Sequence, residues 1–283
     1  MKFDQYVTRV NTKLDQYLTT QGQLTEAMRY SVLAGGKRFR PILSYCVADM
    51  FGSNLDLVDS SSCAVEFIHA YSLIHDDLPA MDDDDIRHNQ PSCHKRFDEA
   101  QAILAGDGLQ ALAFEVLVND PLLDNQVKID LLSSLTHAAF EMAEGQAIDL
   151  SIVDQTVSIK LLESMHSKKT GELLSCAVDL GAIVAQCSEQ DRTTLKIFSQ
   201  AIGLAYQIQD DVLDIEIPVG ILGKRQHSDS EKNKPTYPAI IGLQESKDAY
   251  QALYLQANDC LSDLSLDAQV LRRLIEKLQT REF

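Results

Sequence analysis

The sequence predicts an all-α protein, a single-domain helical bundle around a central apolar cavity. Apolar residues recur at i, i+3, i+4 and i+7 through segments 4–19, 24–34, 39–51, 55–76, 94–118, 122–145, 156–167, 169–187, 189–214 and 246–280, and several of these are too long for strands. No alternating pair of runs is joined by Asn-Gly or Asp-Gly, so no hairpin is expected. No Pro- or Ser-rich linker and no low-complexity tract interrupts the pattern, so residues 1–283 read as one domain.

Taken in order, the segments are separated by residues that do not extend a helix. Breaks are expected at Gly35-Gly36, at Gly52-Ser53-Asn54, at Asn119-Asp120-Pro121 and at Gly145. The polar stretch from about Pro218 to Pro235 is the one connection long enough to cover a site. At 45% hydrophobic and 24% charged residues, the chain is able to bury a substantial core. A net charge of −17 opposes general binding to nucleic acid or to an anionic membrane. The six cysteines form no C-x-x-C pair and lie mostly in apolar helical sequence, which suggests reduced thiols in a cytoplasmic protein. The amino-terminal M-K-F-D-Q-Y has no signal-like apolar core, and no uninterrupted apolar run approaches membrane-spanning length.

The helix ending near residue 76 runs into H-D-D-L-P-A-M-D-D-D-D-I-R, which packs Asp76, Asp77, Asp82, Asp83, Asp84 and Asp85 before Arg87. His69, Leu73 and Asp76 stand at i, i+4 and i+7, so His69 shares a face with Asp76. Pro79 stops the helix, and the chain should then turn back and bring Asp82 to Asp76. An isolated acidic run of this kind also fits a solvated loop. A second motif, Y-Q-I-Q-D-D-V-L-D at 206–214, changes that balance, because Gln207, Asp210 and Asp214 lie on one stripe of a helix whose other residues are apolar. Buried carboxylates need partners, and a hard oxygen set suits Mg²⁺ completed by phosphate oxygens. Gly35-Gly36-Lys37-Arg38-Phe39-Arg40-Pro41, Lys168-Lys169-Thr170-Gly171 and the loop from Lys224 to Lys234 supply cations that fit a diphosphate. His75, His94, His137, His166 and His227 show no such register and are assigned no chemistry. Asp83, Asp84 and Asp85 read as a solvated charge run that could tune the metals.

The ordered set D-D-x-x-x-x-D (Asp76, Asp77, Asp82), D-D-x-x-D (Asp210, Asp211, Asp214), G-G-K-R-F-R-P, H-K-R-F-D-E-A, K-T-G at 169–171 and T-Y-P at 236–238 resembles the bacterial short-chain trans-isoprenyl diphosphate synthases, most of all those that make farnesyl diphosphate. The resemblance implies the isoprenoid synthase fold, a homodimer, and about two or three Mg²⁺ ions per site. It implies Asp76, Asp82 and Asp210 as leading metal ligands, with Asp77, Asp211 and Asp214 as accessory ligands or orienters of bound water. Arg87, Lys169 and Lys224 would hold the allylic diphosphate, with Thr170 and Gln207 beside the reacting carbon. Lys37, Arg40 and His69 would grip isopentenyl diphosphate, and Lys234 would close the lid. Tyr71, five residues before Asp76, stands where an aromatic floors the elongation cavity of farnesyl enzymes, although a core tyrosine fits equally.

The chain departs from the family after the first motif. The usual D-D-x-R-R-G-K-P reads Asp84-Asp85-Ile86-Arg87-His88-Asn89-Gln90-Pro91 here, so His88 replaces an arginine that helps to bind isopentenyl diphosphate. The implied reaction is ionisation of an allylic diphosphate, condensation with isopentenyl diphosphate and loss of a proton, with no protein nucleophile. Geranyl or geranylgeranyl synthases are the nearest alternatives. A terpene cyclase would not explain the Gly35–Pro41 turn, and a non-catalytic partner subunit would tend to lose one Asp motif.

Overall fold

Helix α1 (Lys2–Tyr17) buries Phe3, Tyr6, Val10 and Leu14, the inward stripe of an amphipathic helix. The same logic builds the rest of a computed structural model that describes residues 2–19, 21–216 and 234–280. There follow α2 (Gln23–Val32), α3 (Phe39–Met50), α4 (Asp59–Asp76), a hairpin of β1 (Ile86–Arg87) and β2 (Gln90–Pro91), α5 (Cys93–Arg96), α6 (Glu99–Val118) and α7 (Asn125–Ser151). The chain continues through α8 (Ile159–His166), α9 (Glu172–Ala185), α10 (Glu189–Glu216), α11 (Tyr237–Ile241), α12 (Leu243–Cys260) and α13 (Gln269–Thr280). The fold is all-α.

Several helices begin where a side chain replaces the missing backbone partner. Asp98 accepts from the Gln101 N–H at 2.7 Å, Asp124 from Val127 at 2.9 Å and Ser158 from Leu161 at 3.3 Å. Helices α4 and α6 pack together, as do α3 and α9, and α10 and α12. Their common core contains Tyr45, Phe67, Phe198 and Tyr254, all fully buried. Each phenylalanine of that size contributes roughly 1.5–3 kcal/mol by leaving water. A smaller apolar cluster of Ile152, Leu162, Met165, Ile208 and Tyr237 binds α8 and α11 to α7 and α10.

Four expectations need correction. Segment 94–118 is two helices, because the Asp98 cap starts α6 afresh. Segment 246–280 breaks after Cys260, where Leu261–Asp263 form a 3₁₀ turn and Leu264 is extended. A short hairpin does exist, turning at His88-Asn89 with φ of 51° and 61°, the left-handed pair required by a two-residue turn. Gly145 is not a break but lies inside α7, where a Cβ would come within 2.2 Å of the Lys169 backbone nitrogen. Glycine is there for close approach rather than for a turn. Helix α6 is long and apolar enough by composition to cross a membrane, but Asp107 and Glu115 interrupt it, so it is not an uninterrupted apolar run.

Candidate active site

Asp76 ends α4, and the loop that follows folds back on it. The Asp82 N–H donates to the Asp76 carbonyl at 2.8 Å, and Leu78 accepts from Met81 and Asp83 at 2.9 and 3.1 Å. The return expected after Pro79 is therefore built by backbone hydrogen bonds. Lys234 then donates to Asp82 at 2.8 Å and to Asp149 at 2.9 Å, and Lys169 donates to the same Asp149 oxygen at 2.6 Å. Four chain segments meet at this point: the α4 loop, α7, the turn before α9 and the stretch leading into α11.

Lys169 reaches Asp149 because Ser167–Gly171 forms a π-helical turn between α8 and α9. Such a turn displaces one residue and re-aims its neighbours. It fits against α7 at Gly145, and against α10 at Gly203, where a Cβ would stand 3.1 Å from the Gly171 Cα. The adjacent Thr170 Oγ1 donates to Gln207 Oε1 at 3.0 Å, which joins this turn to the second Asp motif.

Burial dominates the electrostatics at Asp76, against the pull of Lys169, Arg87 and Lys234. Burial, opposed by Lys169 and reinforced by Asp82, pushes the Asp76 carboxyl up to about 6. Burial also acts upward on Asp149, but Lys169 and Lys234 outweigh it and hold that carboxyl below its ordinary range. Two ammonium groups thus satisfy Asp149 and Asp82 while Asp76 remains hard to ionise. A further cation among these oxygens would remove that penalty, so the donor set fits a hard divalent metal.

The six expected metal ligands separate into two kinds. Asp77 is buried and bound by the Arg87 guanidinium, with Nε at 3.1 Å from Oδ1. Asp211 is also buried; its Oδ2 accepts the Tyr237 N–H at 3.0 Å and lies 3.4 Å from His166 Nε2. Both are engaged by protein groups, which suits orienting roles. Asp210 and Asp214, four residues apart on α10, are half-buried beside Gln207. Arg87, expected to hold diphosphate, spans Asp77 and, at 3.6 Å, Asp84. Lys224 lies outside the described residues.

The second basic group gathers near the mouth of α4. Arg40 has a buried, unpartnered Nε, and burial pulls its guanidinium below its ordinary range against the counter-charge of Glu66. His69 is held well below its ordinary pKa, first by burial and then by Arg40, His88, Arg87 and Arg38. That ordering places His88 with this group, and its ring would lie 3.5 Å from a Cβ at Gly36. Lys37 is exposed at the adjoining turn. Arg38 turns inward instead, to Glu66 at 2.8 Å, Asn11 at 2.8 Å and the Val32 carbonyl at 2.6 Å. Tyr71 is half-buried, edge-on to His75 at 5.6 Å, and near enough to Asp76 to feel its charge.

Sequence reasoning missed Asp149 and Gln146. Both lie on α7 just after Gly145, and Gln146 is buried with neither amide atom partnered among the described residues. Reading Gly145 as a helix end hid a Gln and an Asp that share a face at i and i+3. It also missed Glu66, the buried counter-ion of Arg38, three residues before His69. Cavities of about 680 Å³ and 550 Å³ lie elsewhere, the first beside Arg29, Tyr30 and Phe97 and the second between α7, α9 and α10.

Comparison with known proteins identifies the family. Residues 21–273 match the polyprenyl synthetase family model. The chain is 41% identical over 292 residues to the farnesyl diphosphate synthase of Haemophilus influenzae, covering 99% of each. It is 40% identical over 261 residues to geranylgeranyl pyrophosphate synthase 3 of Arabidopsis thaliana, covering 89% of this chain and 72% of that protein. Its fold superposes on a geranyltransferase from Legionella pneumophila with a TM-score of 0.88 at 36% identity, covering 99% of this chain and 96% of that one. The chain therefore belongs to the polyprenyl synthetase family and is a prenyltransferase that elongates prenyl chains.

Proposed function

We propose that this enzyme condenses isopentenyl diphosphate with dimethylallyl and geranyl diphosphates to give farnesyl diphosphate, using Mg²⁺ held by Asp76, Asp82 and Asp210, with Asp214 nearby. The observation that carries this reading is the convergence of Lys169 and Lys234 on Asp149 and Asp82, beside an Asp76 whose carboxyl burial makes hard to ionise. Such a site exchanges its internal ion pairs for a metal and a polyanion. When bound, the metal supplies positive charge that stabilises the departing diphosphate.

The protein's own groups do the rest. Lys169, Lys234 and Arg87 hold the allylic diphosphate, and Lys224 is assigned to the same role. As the carbon–oxygen bond breaks, the Thr170 hydroxyl and the Gln207 amide present oxygen dipoles to the developing allylic cation. Arg40, Lys37, His69 and His88 hold isopentenyl diphosphate so that its double bond faces that cation. The released diphosphate accepts the proton lost on closing the new double bond.

Tyr71 supports the farnesyl assignment as the floor of the growing-chain cavity. A second copy of the chain is proposed to cover the apolar residues left outside on α6 and α7, where Ile103, Leu104, Val118, Ile129 and Phe140 are exposed. We assign the enzyme to the cytoplasm. The test is incubation of the pure protein with isopentenyl diphosphate and each allylic diphosphate, with and without Mg²⁺, followed by chain-length analysis. Fifteen-carbon product that requires Mg²⁺ is expected. Twenty-carbon product would replace the farnesyl assignment, and metal-independent turnover would overturn the ligand assignment.

A further inference from the structure

Beyond the Asp76–Asp82–Asp210 group, the acidic loop carries a different donor set. One oxygen each of Asp83 and Asp85 and one ring nitrogen of His94 lie within 4.8 Å of one another. The aspartates are exposed, whereas His94 is buried at 7% exposure. Its Nδ1 is paired with the Ser92 hydroxyl at 3.1 Å, while its Nε2 has no hydrogen-bond partner among the described residues. A buried imidazole nitrogen without a partner loses its hydration uncompensated. In the tautomer whose Nδ1–H donates to Ser92, Nε2 carries the lone pair that a metal takes, and an outer hydrogen bond from the other ring N–H commonly orients metal-ligating histidines.

The backbone holds the three residues in place. Asp83 adopts left-handed φ of 52° while its N–H donates to Leu78, and the Asp85 carbonyl accepts from Ser92 at 2.9 Å. Lys95 pairs with Asp85 at 2.9 Å, but both side chains are about half exposed, so a multivalent ion would displace that ammonium at little cost. Arg87 is occupied by Asp77 and Asp84, so it is not a counter-ion for this group.

We propose that Asp83, Asp85 and His94 form a second divalent-metal site, selective for late first-row ions such as Co²⁺, Ni²⁺ or Zn²⁺ over Mg²⁺. The selectivity follows from the imidazole, which these ions accept as a ligand far more readily than Mg²⁺ does. The all-oxygen group at Asp76 has the opposite preference. The role of the second ion is structural. It clamps the loop that carries Asp82 to α5, across the base of the hairpin that presents His88. The proposal does not depend on the product assigned above.

Co²⁺ alone is the probe, added to full-length Asp76→Asn/Asp210→Asn protein so that the diphosphate-side ligands are removed, with circular dichroism as the check on folding. Retention of about one equivalent of Co²⁺ with an imidazole-type visible spectrum is expected. Adding Asp83→Asn and Asp85→Asn, both at exposed positions, should weaken that binding at least tenfold, as should His94→Gln. Loss of all Co²⁺ binding in the folded Asp76→Asn/Asp210→Asn protein would overturn the proposal. So would unchanged binding after Asp83→Asn/Asp85→Asn.

Discussion

Lys169 Nζ stands 2.6 Å from Asp149 Oδ2, joining the π-helical turn before α9 to the middle of α7. The same oxygen takes Lys234, so one buried carboxylate positions two of the cations assigned to the allylic diphosphate. Asp149→Asn keeps the shape but removes the charge that aims both ammonium groups. Turnover is expected to fall by one to two orders of magnitude, with KM for the allylic substrate rising more than KM for isopentenyl diphosphate. Steady-state kinetics with each substrate varied in turn will check this, and an unchanged kcat and KM would show that Asp149 does not orient the lysines.

Asp76 makes the metal-free enzyme sensitive to pH. Its folded pKa of about 6 lies above the unfolded value of 3.8, so the folded state binds the proton more tightly. The stability it contributes is fully present below pH 3.8 and is lost as pH rises through 6. The full penalty is about 3 kcal/mol, from about 1.4 kcal/mol per pK unit. In the presence of EDTA, Asp76→Asn should therefore be more stable than the parent at pH 8, and the advantage should vanish near pH 4. Denaturant melts at the two pH values measure it. Equal stabilities at pH 8 would contradict the raised carboxyl.

If the Tyr71 ring floors the elongation cavity, shortening it makes room for another isoprene unit. Tyr71→Ala should shift products beyond fifteen carbons while total turnover stays within about tenfold. Chromatography of the extracted products decides it, and an unaltered chain-length distribution would reduce Tyr71 to a packing residue.

His88 lies over Gly36 at the tip of a turn, where the family resemblance leads to the expectation of an arginine. A neutral imidazole offers one hydrogen bond where a guanidinium offers a charged fork. His88→Arg should lower KM for isopentenyl diphosphate several-fold and leave KM for the allylic diphosphate nearly unchanged. Matching KM values in the two proteins would remove His88 from the substrate site.

Helical periodicity alone determined the all-α class and most helix positions, because each helix buries its own stripe and the 3.6-residue repeat is written locally. The two Asp motifs were legible for the same reason: spacing on one helix, plus Pro79, sufficed to bring Asp82 back to Asp76. The hairpin at His88-Asn89 was not legible, since neither residue is glycine and its strands are only two residues long. What only the tertiary structure decided is where distant segments touch. The place of Gly145 inside α7 depends on a backbone more than twenty residues away, and nothing local separates a glycine needed for close approach from one that ends a helix. Asp149, which receives Lys169 from one direction and Lys234 from another, emerged only when the packing of α7 against the π-helical turn brought those charges within hydrogen-bond reach.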